Sequence, residues 1–165
     1  MGRVFYRRHV CHGQKRGAFV GPTKRGKGTK LMVLADGAGT PVGVGVASAS
    51  PAEVILAVPL VANLLEEYTP QRLIGDLGYD SNAFRAQLEE WGIEPVIPAR
   101  SNNRHATHQD GRKMRRYKRR WTIERTNAWL QNFRRLVVRY ERKAMVFLGF
   151  VHLACAMIAL RRILG

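Results

Sequence analysis

The chain has 165 residues, 45% of them hydrophobic, and a formal net charge of +16. That length allows one domain with a real core, and the composition excludes a low-complexity tail or a fibre. Two distant cysteines, Cys11 and Cys155, exclude a disulfide framework and a paired-cysteine zinc site.

The charge is divided unevenly. Residues 1–30 hold nine Lys/Arg and no acid, residues 31–99 hold two against nine acids, and residues 100–143 hold fifteen against three. Two basic blocks around an acidic middle point to a polyanion partner, most simply nucleic acid. Solvated basic faces are the bland alternative. The N-terminus has no apolar signal-peptide core, and reduced thiols with high basic charge suit the cytoplasm.

Residues 1–20 show no clean period and read as an irregular basic N-terminus. His9, Cys11 and His12 lie close together, but no second ligand pair follows, so a metal site is not expected there. Gly21–Lys30, "GPTKRGKGTK", lacks the glycine spacing of a phosphate-binding loop and reads as a flexible basic segment near a phosphate backbone. Lys30–Asp36 and Val42–Ser48 are strand runs joined by "GAGTP", a hairpin in which Asp36 is a turn former. A helix follows, with Ser50 as N-cap, Pro51 at the first position and Glu53 completing a capping box; Pro59 should break or kink it. Arg72–Asp76 is a short strand ending on an acid. Asp80–Gly92 is a helix with an Asp cap and a Gly stop. Glu94–Arg100 is a further strand. A long helix over Lys113–Arg142 carries one apolar stripe of Ile123, Leu130, Phe133, Val137 and Tyr140. Ala144–Leu160, apolar nearly all round, reads as a buried core helix rather than a membrane span. Strand–strand–helix–strand–helix–strand–helix is an α/β order, a sheet with helices packed on it.

The long helix is densely basic, yet it holds Glu124. Tyr117, Arg120, Glu124 and Gln131 are three, four and seven residues apart and share one face. Asp76 ends a strand, where acids in α/β folds reach the ligand-side crevice. If the two elements meet, two carboxylates lie beside a cationic groove, a combination suited to metal-assisted phosphoryl transfer. The bland readings are an ion pair of Glu124 with Arg120 or Arg125, and a capping role for Asp76. Spacing alone does not choose between them.

"LIGDLGYDS" followed by "RRWTIERTNAWLQNFRRLVVRYER" resembles the C-terminal half of a bacterial insertion-sequence transposase with a DDE triad. "VGPTKRGKGTKLMVLADGAGTPVGVGVASASPAEV" resembles that family's hairpin and first helix, so the likeness spans roughly 21–164. It implies an RNase H-like fold, with residues 21–165 as a partial catalytic domain. By this resemblance Asp76 is the second triad Asp and Glu124 the triad Glu, both ligands of Mg²⁺ or Mn²⁺ in a two-metal site. Tyr117 and Arg120 belong to the family signature. A Lys often found beyond the Glu is replaced here by Gln131. Lys24, Arg25, Lys27, Lys30, Arg115, Arg116, Lys118, Arg119, Arg134 and Arg135 are the expected phosphate contacts.

The resemblance also implies a first triad Asp on the first strand, in an Asp-Gly-Ser/Thr-Phe context, and an N-terminal DNA-binding region. Neither is found here, and no acid precedes Asp36. Met1-Gly2, read one base earlier, becomes Asp-Gly when the preceding base is G. Arg7 and Arg8 shift towards Pro or Ala. Residues 1–20 then read as out of frame with the family, and the first strand as missing or replaced. The resulting expectation is DNA transposition by the complete enzyme, cutting and joining insertion-sequence ends and target, with this chain inactive alone. Its expected partners are DNA, an upstream frame product joined by frameshifting, and further copies on DNA, with no membrane. The alternatives are a basic nucleic-acid-binding protein without catalysis, or an RNase H-like nuclease.

Overall fold

The computed structural model describes residues 3–13, 17–23, 26–101, 103, 115 and 117–164. The N-terminal segment read as irregular forms a strand, β1 (Arg3–Gly13), followed by β2 (Gly21–Thr23), β3 (Gly26–Asp36) and β4 (Pro41–Ser48). Then come α1 (Glu53–Leu65), β5 (Arg72–Ile74), α2 (Asn82–Glu90) and β6 (Glu94–Val96). The chain ends with α3 (Trp121–Gln131), a single turn α4 (Arg134–Val137), β7 (Val138–Arg139) and α5 (Ala144–Leu164).

Among the described residues, the seven strands join one mixed sheet. β3 pairs antiparallel with β1, β2 and β4, while β5 runs parallel to β1 and β6 parallel to β5. β7 pairs with the far end of β1 at His12 and Gly13. β1 is therefore a central strand; of the two expectations, a first strand missing or replaced, the second fits, because a strand is present and holds no acid.

The apolar run of β3 has no polar face because both sides of the sheet are covered. Leu31, Val33 and Ala35 alternate into a core with Phe5, Ile74, Ile123, Leu130, Phe147 and Val151. Met32 and Leu34 alternate into the opposite core with Val4, Tyr6, Val61, Tyr79, Phe84 and Leu88. The first core lies under α3 and α5, the second under α1 and α2. Lys30, in the same strand, is buried, and its Nζ donates to the Pro51 carbonyl. Its expected phosphate contact is corrected accordingly: the ammonium ties β3 to the start of α1.

Local signals did not all act as read. Asp36 is the turn former expected, its Oδ1 accepting from Ala38 N at 2.9 Å and Thr40 N at 2.8 Å. α1 starts at Glu53 after Ala52, without a side-chain cap, and runs through Pro59. Ala57, Val61 and Leu64 are buried on both sides of the proline, so packing offsets the lost backbone bond. Ser81, not Asp80, caps α2, and Gly92 adopts φ 73° where that helix stops. The long basic helix is interrupted at Asn132, which leaves Val137 and Tyr140 exposed rather than on a continuous buried stripe. α5 buries only one face, with Met145, Leu153, Leu160, Ile163 and Leu164 exposed. It is long and apolar enough to cross a membrane by length and composition.

Asp80 instead gathers the loop after β6. Its carboxylate accepts from the Arg85 guanidinium at 2.6 Å, Arg100 N at 2.7 Å and the Asn103 amide at 2.9 Å. Burial alone would raise its pKa, but these three donors outweigh it and hold the carboxyl below its ordinary range. A depressed pKa stabilises the fold above the unfolded value and is lost as pH falls through the folded one. Asp80→Asn should therefore lower stability at pH 7 by about 2 kcal/mol, as for other hydrogen bonds to charged groups. In urea unfolding, the gap to the wild type should begin to narrow below about pH 4, the ordinary carboxyl value, and close once the folded carboxyl is protonated as well.

Candidate active site and nucleic-acid interface

β5 and α3 carry the two acids. Ile74, at the end of β5, and Ile123, on α3, belong to the same buried core, and Asp76 and Glu124 follow them directly or after one residue. The residues that precede the two acids thus share one core. Asp76 is in extended conformation, and its Oδ1 accepts from Gly78 N at 2.7 Å, capping the 3₁₀ turn Leu77–Tyr79. The capping role weighed from sequence is thus real, and it orients the carboxylate.

Gly78 marks a close approach. A Cβ there would lie 2.8 Å from Glu53 Oε2 and 2.9 Å from Asp76 Oδ1. Glu53 therefore brings a second carboxylate to the Asp76 turn. Sequence pattern had placed Glu53 in a capping box, and no local signal distinguishes it from one.

Tyr117, Arg120 and Glu124 do share a face. Arg120 donates through Nη1 to the Tyr117 hydroxyl, and its Cζ sits 5.1 Å from that ring's centroid. Its Nε lies 3.2 Å from Glu124 Oε1, so the ion pair weighed from sequence is also present. Both side chains are 40% exposed, so the pair contributes little to stability. One guanidinium thus orients both a hydroxyl and a carboxylate at the surface. Gln131 lies at the exposed end of α3.

α3 is held in place by its buried face. Thr126 Oγ1 donates to Gly39 O at 2.7 Å and Arg125 Nη2 to Ala38 O at 2.8 Å, tying the helix to the β3–β4 turn. Gly39 has φ 88°, and a Cβ there would lie 3.2 Å from both side chains. The turn needs glycine for its backbone and for this contact. Arg125 is also stacked between Trp121 and Trp129, at 4.7 and 4.8 Å from their centroids. The sequence had shown these tryptophans only as residues among arginines; their i, i+4, i+8 spacing is the signal for a stack.

The basic residues are dispersed. Lys27, Arg115, Lys118 and Arg134 are exposed. Arg135 is exposed but lies 3.2 Å from Glu141 Oε1 and over the Phe150 ring. Lys24, Arg25 and Arg116 lie outside the described residues; Arg119 contributes backbone to the 3₁₀ turn Lys118–Arg120. The Cys11 thiol donates to Leu136 O, and burial pushes its pKa up to about 12.

Among the described residues, no three His, Cys, Asp or Glu side chains converge to hold a metal ion. Asp76 already accepts a backbone bond and Glu124 an arginine.

Phe5 pairs with Ile74 in parallel β1–β5, and Arg7 pairs with Val33 in antiparallel β1–β3.

Comparisons with known proteins agree with this architecture. A putative transposase of insertion sequence element IS402 from Burkholderia cepacia is 36% identical over 146 residues, covering 83% of this chain and 65% of that protein. A putative transposase of element IS6501 from Brucella ovis is 38% identical over 93 residues, 54% of this chain and 67% of that protein. The chain thus spans about two thirds of these relatives. In fold it is similar to a piggyBac transposase in a synaptic complex with hairpin DNA (TM-score 0.66, 12% identity, covering 96% of this chain and 46% of that one). A simian T-cell lymphotropic virus intasome is similar at TM-score 0.51, with 13% identity, covering 79% of this chain and 38% of that one. These likenesses are of fold alone, and the fold is RNase H-like. The family described as the transposase DDE domain matches residues 8–159, and with the relatives above this shows that the chain belongs to the DDE transposase family.

Proposed function

We propose that this chain is the catalytic-domain portion of an insertion-sequence transposase, that it binds DNA, and that it does not cut or join strands by itself. The observation that supports the reading is that Glu124, oriented by Arg120 and Tyr117, lies on the helix that packs on β1 and β3, while β5, paired with β1, leads to Asp76. In the complete enzyme Asp76 and Glu124 would be two of three metal-holding carboxylates. DDE transposases generally use divalent metals, and Mg²⁺ or Mn²⁺ would polarise the phosphate and activate the attacking oxygen. The chain's own residues supply phosphate contacts and orientation: Arg120 holds the Glu124 carboxylate, and Lys27, Lys118 and Arg134 face the duplex backbone. The natural partners are the element's DNA ends and its target, an upstream frame product, and further copies assembled on DNA in the cytoplasm.

Position 7 supports a specific origin for the missing acid. Arg7-Arg8-His9, written CGN-CGN-CAY before the G of Val10, reads one base later as GNC-GNC-AYG. That frame can encode Asp-Gly-Thr among other readings, and the β1–β5 register, carried two residues past the Phe5–Ile74 pair, would set this Asp level with Asp76. A frame change at this point would restore the set.

Two measurements test this reading. Duplex binding should weaken steeply with salt, because each neutralised phosphate releases counterions. Lys118→Ala with Arg134→Ala should flatten the logarithmic salt slope by about 2, roughly 0.9 per lost contact. Salt-indifferent affinity would remove the phosphate-contacting face.

Arg7→Asp should gain what the wild type lacks. Mn²⁺ should raise its thermal midpoint and support nicking of supercoiled DNA, and both gains should vanish in the Arg7→Asp/Asp76→Asn double variant. No response of Arg7→Asp to the metal, in a chain that still folds, would show that position 7 is not the missing ligand position.

A further inference from the structure

We propose that Glu53, at the start of α1, is a metal ligand: together with Asp76 it holds a single Mg²⁺ or Mn²⁺ ion beside the Leu77–Tyr79 turn. This rests on the reading of Asp76 as a metal-holding carboxylate. It goes beyond that reading by adding a ligand from outside the three-acid set.

Glu53 follows Ala52 directly as the first residue of α1, not as the third helical residue of a capping box. Its side chain reaches the Leu77–Tyr79 turn, against which α1 packs. The space where a Gly78 Cβ would lie is bounded by Glu53 Oε2 at 2.8 Å and Asp76 Oδ1 at 2.9 Å. The two oxygens are no further apart than these distances laid end to end. A hard cation with ligands at about 2.1 Å can bridge such a gap after a small rotation of the Glu53 side chain. Gly78 N donates to Asp76 Oδ1 at 2.7 Å, which fixes that carboxylate and leaves Oδ2 as its metal-binding atom.

A buried hydroxyl points to the same place. Tyr79 is fully buried, and its hydroxyl closes no hydrogen bond of good geometry. Burial pushes its pKa up first; the charges of Tyr6, Glu53 and Asp76 and a loose bond to Glu53 push it further. The hydroxyl therefore stays protonated beside both carboxylates. It can donate to Glu53 once that carboxylate turns onto a cation, or to a water that the cation carries. The Tyr6 ring packs edge-on against Tyr79, centroids 4.4 Å apart, and holds it there.

A first-turn acid favours a helix start by itself. That role needs no second carboxylate nearby. Two carboxylates this close repel each other, and a divalent cation between them turns repulsion into binding. Two protein carboxylates suit Mg²⁺, which keeps several of its waters. Such a site holds one ion weakly. The second ion, and the thermal gain expected of Arg7→Asp, still need the acid that β1 lacks.

The test uses the isotope-labelled full chain and Mn²⁺, whose unpaired electrons broaden the nearest amide signals and so report even a weak site. At low Mn²⁺ the amides of Ala52–Val54 and Leu77–Tyr79 should broaden first, and excess Mg²⁺ should restore them. Glu53→Gln keeps the shape and removes the charge. It should weaken the apparent affinity at least about tenfold, since even an outer-shell partner of a metal ligand is worth that much. Gly78→Ala should act in the same direction, because its Cβ would push Glu53 away from Asp76. Gly78 has no positive φ, so alanine suits its backbone, and this variant decides the matter if Glu53→Gln does not fold. Glu67→Gln, at an exposed acid just beyond α1, should leave the broadening unchanged.

Wild-type broadening in a folded Glu53→Gln would overturn the proposal, as would no Mn²⁺ effect at the Leu77–Tyr79 turn of the wild type. Loss in Asp76→Asn with full retention in Glu53→Gln would keep Asp76 as a metal ligand and remove Glu53 alone. If neither substitution changes the broadening, both assignments fall, and the salt dependence of duplex binding still judges the DNA-binding reading separately.

Discussion

The antiparallel pairing of β1 with β3 holds the molecule together. It runs through nine residue pairs, from Val4–Asp36 to His12–Gly28. Because side chains alternate along each strand, this one ladder feeds two cores on opposite faces of the sheet. β5 and β7 attach to the other edge of β1, and β2 and β4 to the other edge of β3. Each element that carries a candidate functional residue hangs from this pair. Asp76 is placed by β5 against β1, and Glu124 by α3 across β1 and β3.

A chain with so many cations must still sort them. Some are structural. Arg139 is 1% exposed, donates to Thr29 Oγ1 at 2.6 Å and to the Glu141 and Arg142 carbonyls, and lies over the Phe147 ring. Burying it unpaired would be costly; these acceptors satisfy the guanidinium instead. Lys30 is used in the same way. Others stay at the surface, where Lys118 and Arg134 meet solvent and Arg120 orients a tyrosine and a carboxylate. Net charge identifies a polyanion binder, but only burial shows which charges are available to it.

The helix α3 works as a hinge between packing and chemistry. Ile123, Thr126, Asn127 and Leu130 are buried, which fixes its rotation. That rotation leaves Glu124 and Arg120 half-exposed on one side and the Trp121–Arg125–Trp129 stack on the adjoining side. The carboxylate and the stack are thus two consequences of one buried stripe. A change that rotated the helix would disturb both.

Local pattern determined much of this. The β3–β4 hairpin, the Asp36 turn, the α2 helix and the shared face of Tyr117, Arg120 and Glu124 follow from periodicity and turn chemistry, which act over a few residues. The likeness of the Asp76 and Glu124 segments to a transposase family was also legible there. What escaped it depended on residues distant in sequence. Val4, Phe5 and Tyr6 show no clean period, yet they form a central strand because β3 and β5 supply its hydrogen bonds and both faces are covered. α1 passes through Pro59 because Ala57, Val61 and Leu64 are held by the sheet. Glu53 reaches the Asp76 turn and Lys30 is buried only once the strands are in register. Sequence alone determined the local conformations and the family; tertiary structure decided which side chains meet, because register and burial are set by contacts between segments, and no single segment encodes them.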